Sequence, residues 1–115
     1  MSHKTSNRKA AKRPTHAVLF AALGDETRLT LVGKLASGEP HSITQLTEGS
    51  RLTRQAITKH LRVLAKVGIV RCVRQGRESL FKFNPEPIAE MHEYLDLVSR
   101  QWDQALARLK SFVEE

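Results

Sequence analysis

The chain has 115 residues, 40 % of them hydrophobic, with a formal net charge of +7 and a single cysteine. That length reads as one small domain; no stretch approaches the roughly 20 apolar residues that cross a bilayer, and residues Met1 to Thr5 lack the apolar segment of a secretory leader. The lone thiol, Cys72, excludes an intramolecular disulfide and a multi-cysteine metal cage, so the expectation is a soluble, reduced, cytoplasmic protein with no membrane partner.

The charge is unevenly placed. Residues 1–14 carry +5, residues 15–50 carry −2, residues 51–82 carry +8 and residues 83–115 carry −4. A basic block inside a folded region points to a polyanion partner. Residues 1–14 are polar, basic and aperiodic, and read as a disordered arm that ends at Pro14.

In chain order, Thr15 is placed to cap a short helix from His16 to Leu23, with Val18, Leu19, Ala22 and Leu23 as its apolar side. Gly24 interrupts it, and Asp25 is a good N-cap for a second helix running to about Ala36. Leu29, Val32, Leu35 and Ala36 recur there at helical steps, and Gly38 and Pro40 end it. Ser42 with Gln45 three residues on forms a capping box, in which each side chain satisfies an orphan backbone donor of the other. It opens a brief helix from Ile43 to about Glu48. After the Gly49-Ser50-Arg51 turn, Thr53 caps a further helix whose Ile57, Leu61 and Leu64 form an inward stripe, ended by Gly68. Short helix, turn and second helix in succession make a helix-turn-helix.

Residues Ile69 to Arg74 and Ser79 to Phe83 read as two strands around the tight turn Gln75-Gly76-Arg77, a basic hairpin directly after the motif. Asn84-Pro85-Glu86-Pro87 then launches a helix from about Ile88 to Val113. Ile88, Leu95, Trp102 and Leu109 recur every seventh residue, and so do Met91, Val98, Ala105 and Phe112. That is an a/d heptad seam, about 39 Å long at 1.5 Å per residue. A chain this short cannot readily cover such a seam alone, and a second copy is the natural partner, with Leu19 of the first helix contributing. The fold class is therefore mainly α with a small β-hairpin: a winged helix-turn-helix over residues 15–84 and a dimerisation helix over 85–115.

A helix fits the major groove of double-stranded DNA, where base edges present a distinct donor and acceptor pattern. With Ile57, Leu61 and Leu64 inward, Gln55, Thr58, Lys59 and Arg62 point outward, and Arg54 stands at the end of the helix that meets base edges in this motif. Arg54 suits guanine and Gln55 suits adenine. Thr58 suits a base or a phosphate, while Lys59 and Arg62 suit phosphates, which add affinity without sequence information. Arg77 at the hairpin tip, supported by Arg74, Arg71 and Lys82, is placed for the minor groove or its phosphates. Thr53 and Ser42, at the two helix starts, complete the candidate DNA-binding set.

Phe20-Ala21-Ala22-Leu23-Gly24-Asp25-Glu26-Thr27-Arg28-Leu29 resembles the opening signature of the ArsR/SmtB family of winged-helix repressors. Leu52 to Leu64 resembles its recognition helix, and Val67-Gly68-Ile69-Val70 with Arg74-Gln75-Gly76-Arg77 resembles its wing. The resemblance spans residues 16–84 and implies a homodimer built from the first and last helices. It further implies a palindromic operator whose occupation represses transcription, and relief by an inducer, here an unidentified small molecule. The cysteine pair of the metal-sensing members is missing from Pro40-His41-Ser42-Ile43-Thr44, and the last helix offers only His92 with Glu93 and Asp96. Neither metal sensing nor a cofactor is therefore expected.

His60 reads as bonded within the motif or reaching a phosphate, and Cys72 as a buried, inert thiol. Two alternatives stand beside the regulator: a sensor triggered at Trp102 or Cys72, and a protein-interaction module using the last helix. No nucleophile, base and acid are spaced for catalysis, so an enzyme is not expected.

Overall fold

The computed structural model describes residues 14–114. The basic arm expected over residues 1–14 lies outside the described residues except for Pro14. The elements are α1 (His16–Leu23), α2 (Glu26–Leu35), β1 (His41–Ser42), α3 (Ile43–Thr47), α4 (Arg54–Lys66), β2 (Val70–Gln75), β3 (Glu78–Phe83) and α5 (Pro85–Glu114).

Four helix starts are written in capping residues. Thr15 Oγ1 accepts the Val18 N–H, Asp25 Oδ2 the Arg28 N–H, Ser42 Oγ the Gln45 N–H and Thr53 Oγ1 the Ala56 N–H. At α3 the box is reciprocal, because the Ser42 N–H donates to Gln45 Oε1 at 2.8 Å. Each such side chain satisfies a backbone donor that the helix itself leaves unpaired. Asn84 is not used in this way. Its Nδ2 donates to the Gly68 carbonyl at 2.9 Å, its Oδ1 accepts from Arg71, and its N–H donates to the Ile69 carbonyl. It therefore closes the base of the wing, tying the end of β3 to the residues that precede β2.

The core is a single cluster drawn from every element except β1: Leu19, Ala22, Leu31, Leu35, Leu46, Ile57, Leu61, Leu64, Ile69, Val70, Phe81 and Met91. Two expectations are corrected on α2. Leu29 and Ala36, both in the apolar repeat read from the sequence, are exposed, Leu29 at 54 %, while Leu31, which that repeat left out, is buried. The helix is rotated so that Leu31 and Leu35, four apart, meet α4. The sheet also gains a strand. Its order is β1-β3-β2, all antiparallel, with His41 opposite Phe81 and Ser42 opposite Leu80. β3 is thus the central strand and β2 an edge. Cys72, opposite Phe81 on that edge, is exposed rather than buried, because nothing covers the outer side of a two-layer fold at this point.

Gly68 and Gly76 have positive φ, 85° and 61°. The first ends α4 and the second turns the wing, and both conformations are strained for any residue with a Cβ. The proximal part of α5 packs on the domain through Met91, 4 % exposed, and half-buried Ile88. His16 stacks on Tyr94 at 4.5 Å between ring centroids, which ties α1 to the same helix.

Leu61 is fully buried among α4's neighbours, and Leu61→Ala should cost about 2–5 kcal/mol, read as a lowered urea midpoint. Asp25 gives a pH signature. The Arg28 backbone N–H holds its carboxyl below the usual carboxylate range, aided by the His60 and Arg28 charges and opposed by partial burial. A depressed folded value contributes stability above the unfolded pKa of about 3.9, and that contribution disappears as pH falls through the folded value. Urea titrations of Asp25→Asn should therefore run below wild type at neutral pH and converge with it in acid.

Candidate nucleic-acid interface

The geometry of α4 follows from its burial. Ile57, Leu61 and Leu64 are each at most 1 % exposed, and at 100° per residue they turn Gln55, Lys59, Arg62 and Lys66 to the opposite, exposed side, while Arg54 is exposed at the helix's first position. Arg54, Gln55, Thr58 and Arg62 line one shallow depression of about 410 Å³. The four basic side chains of α4, Arg54, Lys59, Arg62 and Lys66, are exposed, and no acid of the described residues forms an ion pair with any of them. Such a surface presents fork-shaped donors and an amide at the spacing of one helix face, which suits base edges and phosphates together.

Thr58 differs from its neighbours. Its Oγ1 donates to the Arg54 carbonyl at 2.7 Å, so its hydroxyl proton is held within the helix and its methyl and oxygen lone pairs are what it offers outward. Ser42 and Thr53 hold their lone pairs on backbone donors as caps. Their hydroxyl protons remain for a phosphate oxygen, as do the helix N-termini they begin.

The wing brings a second group of cations. Arg74, Arg77 and Lys82 are exposed, with Arg77 next to Gly76 in the turn between β2 and β3. Arg71 instead donates to Asn84 Oδ1 at 3.2 Å and so stiffens the base of the hairpin.

The residues expected on the seam of α5 divide in two. Leu19 and Met91 are 1 % and 4 % exposed and belong to the chain's own core, as does half-buried Ile88 in part. The outward apolar residue of α1 is Val18 rather than Leu19. Farther along, Leu95, Trp102 and Leu109 are 51–64 % exposed, Val98 and Ala105 are half-buried, and Leu106, Phe112 and Val113 add to the same exposed stripe.

Three contacts escaped the sequence. Lys34 Nζ donates to the Leu46 carbonyl at 3.4 Å, closing the C-terminal end of α3. Phe20 adds to the His16–Tyr94 pair at 6.1 Å. His60 lies 3.2 Å from Arg28 Nη1 and 3.7 Å from Asp25 Oδ2, so its partners stand on α2 and its cap, outside the helix-turn-helix. Asp25 and Arg28 stand over thirty residues before His60, and no local pattern links them.

Among the described residues no three of His, Cys, Asp and Glu group as metal ligands. His92 lies 3.6 Å from Asp96 on the exposed face of α5. Among the described residues no helix is long and apolar enough to cross a membrane.

Comparison with known proteins agrees with this geometry. A family model described as a helix-turn-helix domain matches residues 23–73. An HTH-type transcriptional regulator of Bacillus subtilis is 35 % identical over 79 residues, covering 64 % of this chain and 86 % of that protein. One from Mycobacterium tuberculosis is 29 % identical over 95 residues, covering 83 % and 85 %. The solved structure of an ArsR-like transcriptional regulator from a Rhodococcus species superposes with a TM-score of 0.73 at 34 % identity, covering 84 % of this chain and 91 % of that one. With the winged helix-turn-helix, the basic outward face of α4 and these relatives together, the chain belongs to the ArsR family of DNA-binding transcriptional regulators, which are not enzymes.

Proposed function

We propose that the chain is a homodimeric repressor that reads a palindromic operator in double-stranded DNA and responds to an effector other than a metal ion. The observation that carries sequence-specific reading is the outward face of α4, where Arg54 and Gln55 stand exposed at the N-terminal end, with Lys59 about one turn and Arg62 about two turns further on. The first pair suits base edges and the second suits phosphates. Arg77 and Arg74 of the wing extend the contact along the adjacent groove, and Thr53 and Ser42 donate to phosphates at the helix starts.

Dimerisation rests on the distal half of α5. Six large apolar side chains, Leu95, Trp102, Leu106, Leu109, Phe112 and Val113, are 51–79 % exposed. Apolar surface on that scale marks an association site, and the helical repeat suits another helix. A two-fold pair would set its recognition helices about 34 Å apart, one turn of DNA. Residues 15–84 are then the DNA-reading unit and residues 85–115 the dimerisation helix, although Ile88 and Met91 also serve the former. The effector in this reading is an unidentified small molecule or, through the exposed Cys72 thiol, an oxidant; the described residues offer only His92 with Asp96 and that single thiol, short of a metal-ligand set.

Duplexes selected in vitro from a random pool supply the probe. Arg54→Ala should cost about 1–3 kcal/mol on the selected duplex and relax the preferred base at one position, while Lys59→Ala should weaken all duplexes alike and flatten the salt dependence by about one ion. Equal losses on every duplex for both variants would overturn sequence reading by α4. Trp102→Glu should shift the sedimentation coefficient from dimer to monomer and weaken binding to the palindrome far more than to a single half-site; a wild-type monomer would overturn the dimer.

A further inference from the structure

The base of the recognition helix is held by a three-residue lock. Arg28 on α2 reaches two other helices at once. Its Nε and Nη2 donate to the Ala22 and Ala21 carbonyls of α1, and its Nη1 lies 3.2 Å from Nδ1 of His60 on α4. A guanidinium carries donors only. A hydrogen bond at this contact requires an unprotonated Nδ1 as acceptor, with the ring proton on Nε2. Asp25 Oδ2 lies 3.7 Å from the same Nδ1 and already accepts the Arg28 backbone N–H at 2.9 Å.

The imidazole stands between a cation it can bind only when neutral and an anion it binds better when charged. Asp25, from the α1–α2 corner, and Arg28, from α2, are the ionisable groups that meet it. On α4 itself its neighbours in sequence are Lys59 and, two residues on, Arg62. From α1 the lock takes carbonyls alone. Among the described residues, no ionisable side chain of α3, the turn or the wing forms a hydrogen bond or ion pair with it. The side chain is 24 % exposed, so a proton from solvent reaches it. A proton on Nδ1 turns that atom from acceptor to donor, sets it against the Arg28 guanidinium and directs it to Asp25.

We infer that His60 is a positioning residue for DNA reading, whose protonation exchanges Arg28 for Asp25 as its partner and lowers the sequence selectivity of the recognition helix. The inference rests on the reading of α4's exposed face as the DNA contact. His60 follows Lys59 directly and lies six residues from Arg54 on the same helix, so a change of its partner acts on the helix that carries both. Histidine is the side chain that changes charge in the range where cells vary, about pH 5 to 8.

The test is the ratio of affinities for the selected duplex and a scrambled one, by fluorescence anisotropy at fixed ionic strength. The ratio cancels the general attraction that any added positive charge brings. In wild type it should fall about fivefold from about pH 7.5 to about pH 5.5, the factor that one typical hydrogen bond carries. His60→Asn keeps an acceptor near the Nδ1 position and does not titrate; its ratio should stay constant across the range and match wild type at the upper end. A flat wild-type profile, or an Asn variant that follows the wild-type one, would overturn the inference. Imidazole ¹⁵N shifts of the DNA-free protein give an independent arm. A bare Nδ1 and a protonated Nε2 at neutral pH, changed by Arg28→Lys, are expected, and a protonated Nδ1 would overturn the lock. Loss of all duplex preference in wild type at pH 7.5, with the ¹⁵N pattern intact, would count against the DNA reading and leave the lock standing.

Discussion

The burial of one stripe of α4 is the constraint from which the interface follows. A helix cannot bury Ile57, Leu61 and Leu64 without rotating its other side to solvent, and here that side carries Gln55, Lys59 and Arg62, with Arg54 exposed at the helix start. The core residues thus aim the candidate DNA contacts. Placing four such groups on a loop would require fixing each of them separately, whereas a packed helix fixes them together. The surrounding elements are arranged to keep this helix still: α2 packs Leu31 and Leu35 into the same core, α3 contributes Leu46, and the wing begins two residues after Gly68 turns the chain away.

The charge distribution carries a cost that the fold manages by separation. Nine cations lie between residues 51 and 82 against one acid, and their mutual repulsion opposes compaction. Four lie on α4 and four on the hairpin, with Arg51 in the turn before α4, and Arg71 is taken up by Asn84. The acids of α5 lie on another element altogether. A protein stabilised by pairing these charges internally would have no field left to offer a phosphate backbone.

Sequence reading recovered what is local. The caps at Thr15, Asp25, Ser42 and Thr53 depend on residues three apart, and the stripe of α4 depends on a repeat of three and four, so both are legible from one segment at a time. The errors lie where partners are distant. Leu29 and Leu31 satisfy the same helical spacing to similar degree, and only the direction of α4 decides between them. Strand β1 is two residues long and exists because β3 lies alongside it; His41 and Ser42 have no strand pattern of their own. Leu19 and Met91 belong to repeats that read as an outward seam, yet α1 and the first turns of α5 cover each other. The Arg28–His60 contact joins residues 32 apart by side chains alone. In the candidate site, the identity of the outward residues was legible, while Thr58's bond to its own helix was not, because a threonine facing solvent has the same sequence signature whether or not its hydroxyl turns back.

Helix α5 connects these levels. Its 30 residues give a rod of about 45 Å, far more than the domain needs: Met91 is its one fully buried residue, and exposure rises along the helix to Phe112 and Val113. Its first turns are fixed to α1 by the His16–Tyr94 stack and to the core by Ile88 and Met91. The direction in which the rod leaves is therefore set by the same core that sets the direction of α4. If a second copy packs on the distal stripe, the distance between two recognition helices is a rigid consequence of two angles, that of α5 and that of α4, measured from one shared cluster of side chains. A change of either angle by a few degrees is magnified along the lever to the DNA-reading face. An effector would then need no contact with DNA; it would need only to shift how α5 or α4 sits on Leu61, Leu64 and Met91.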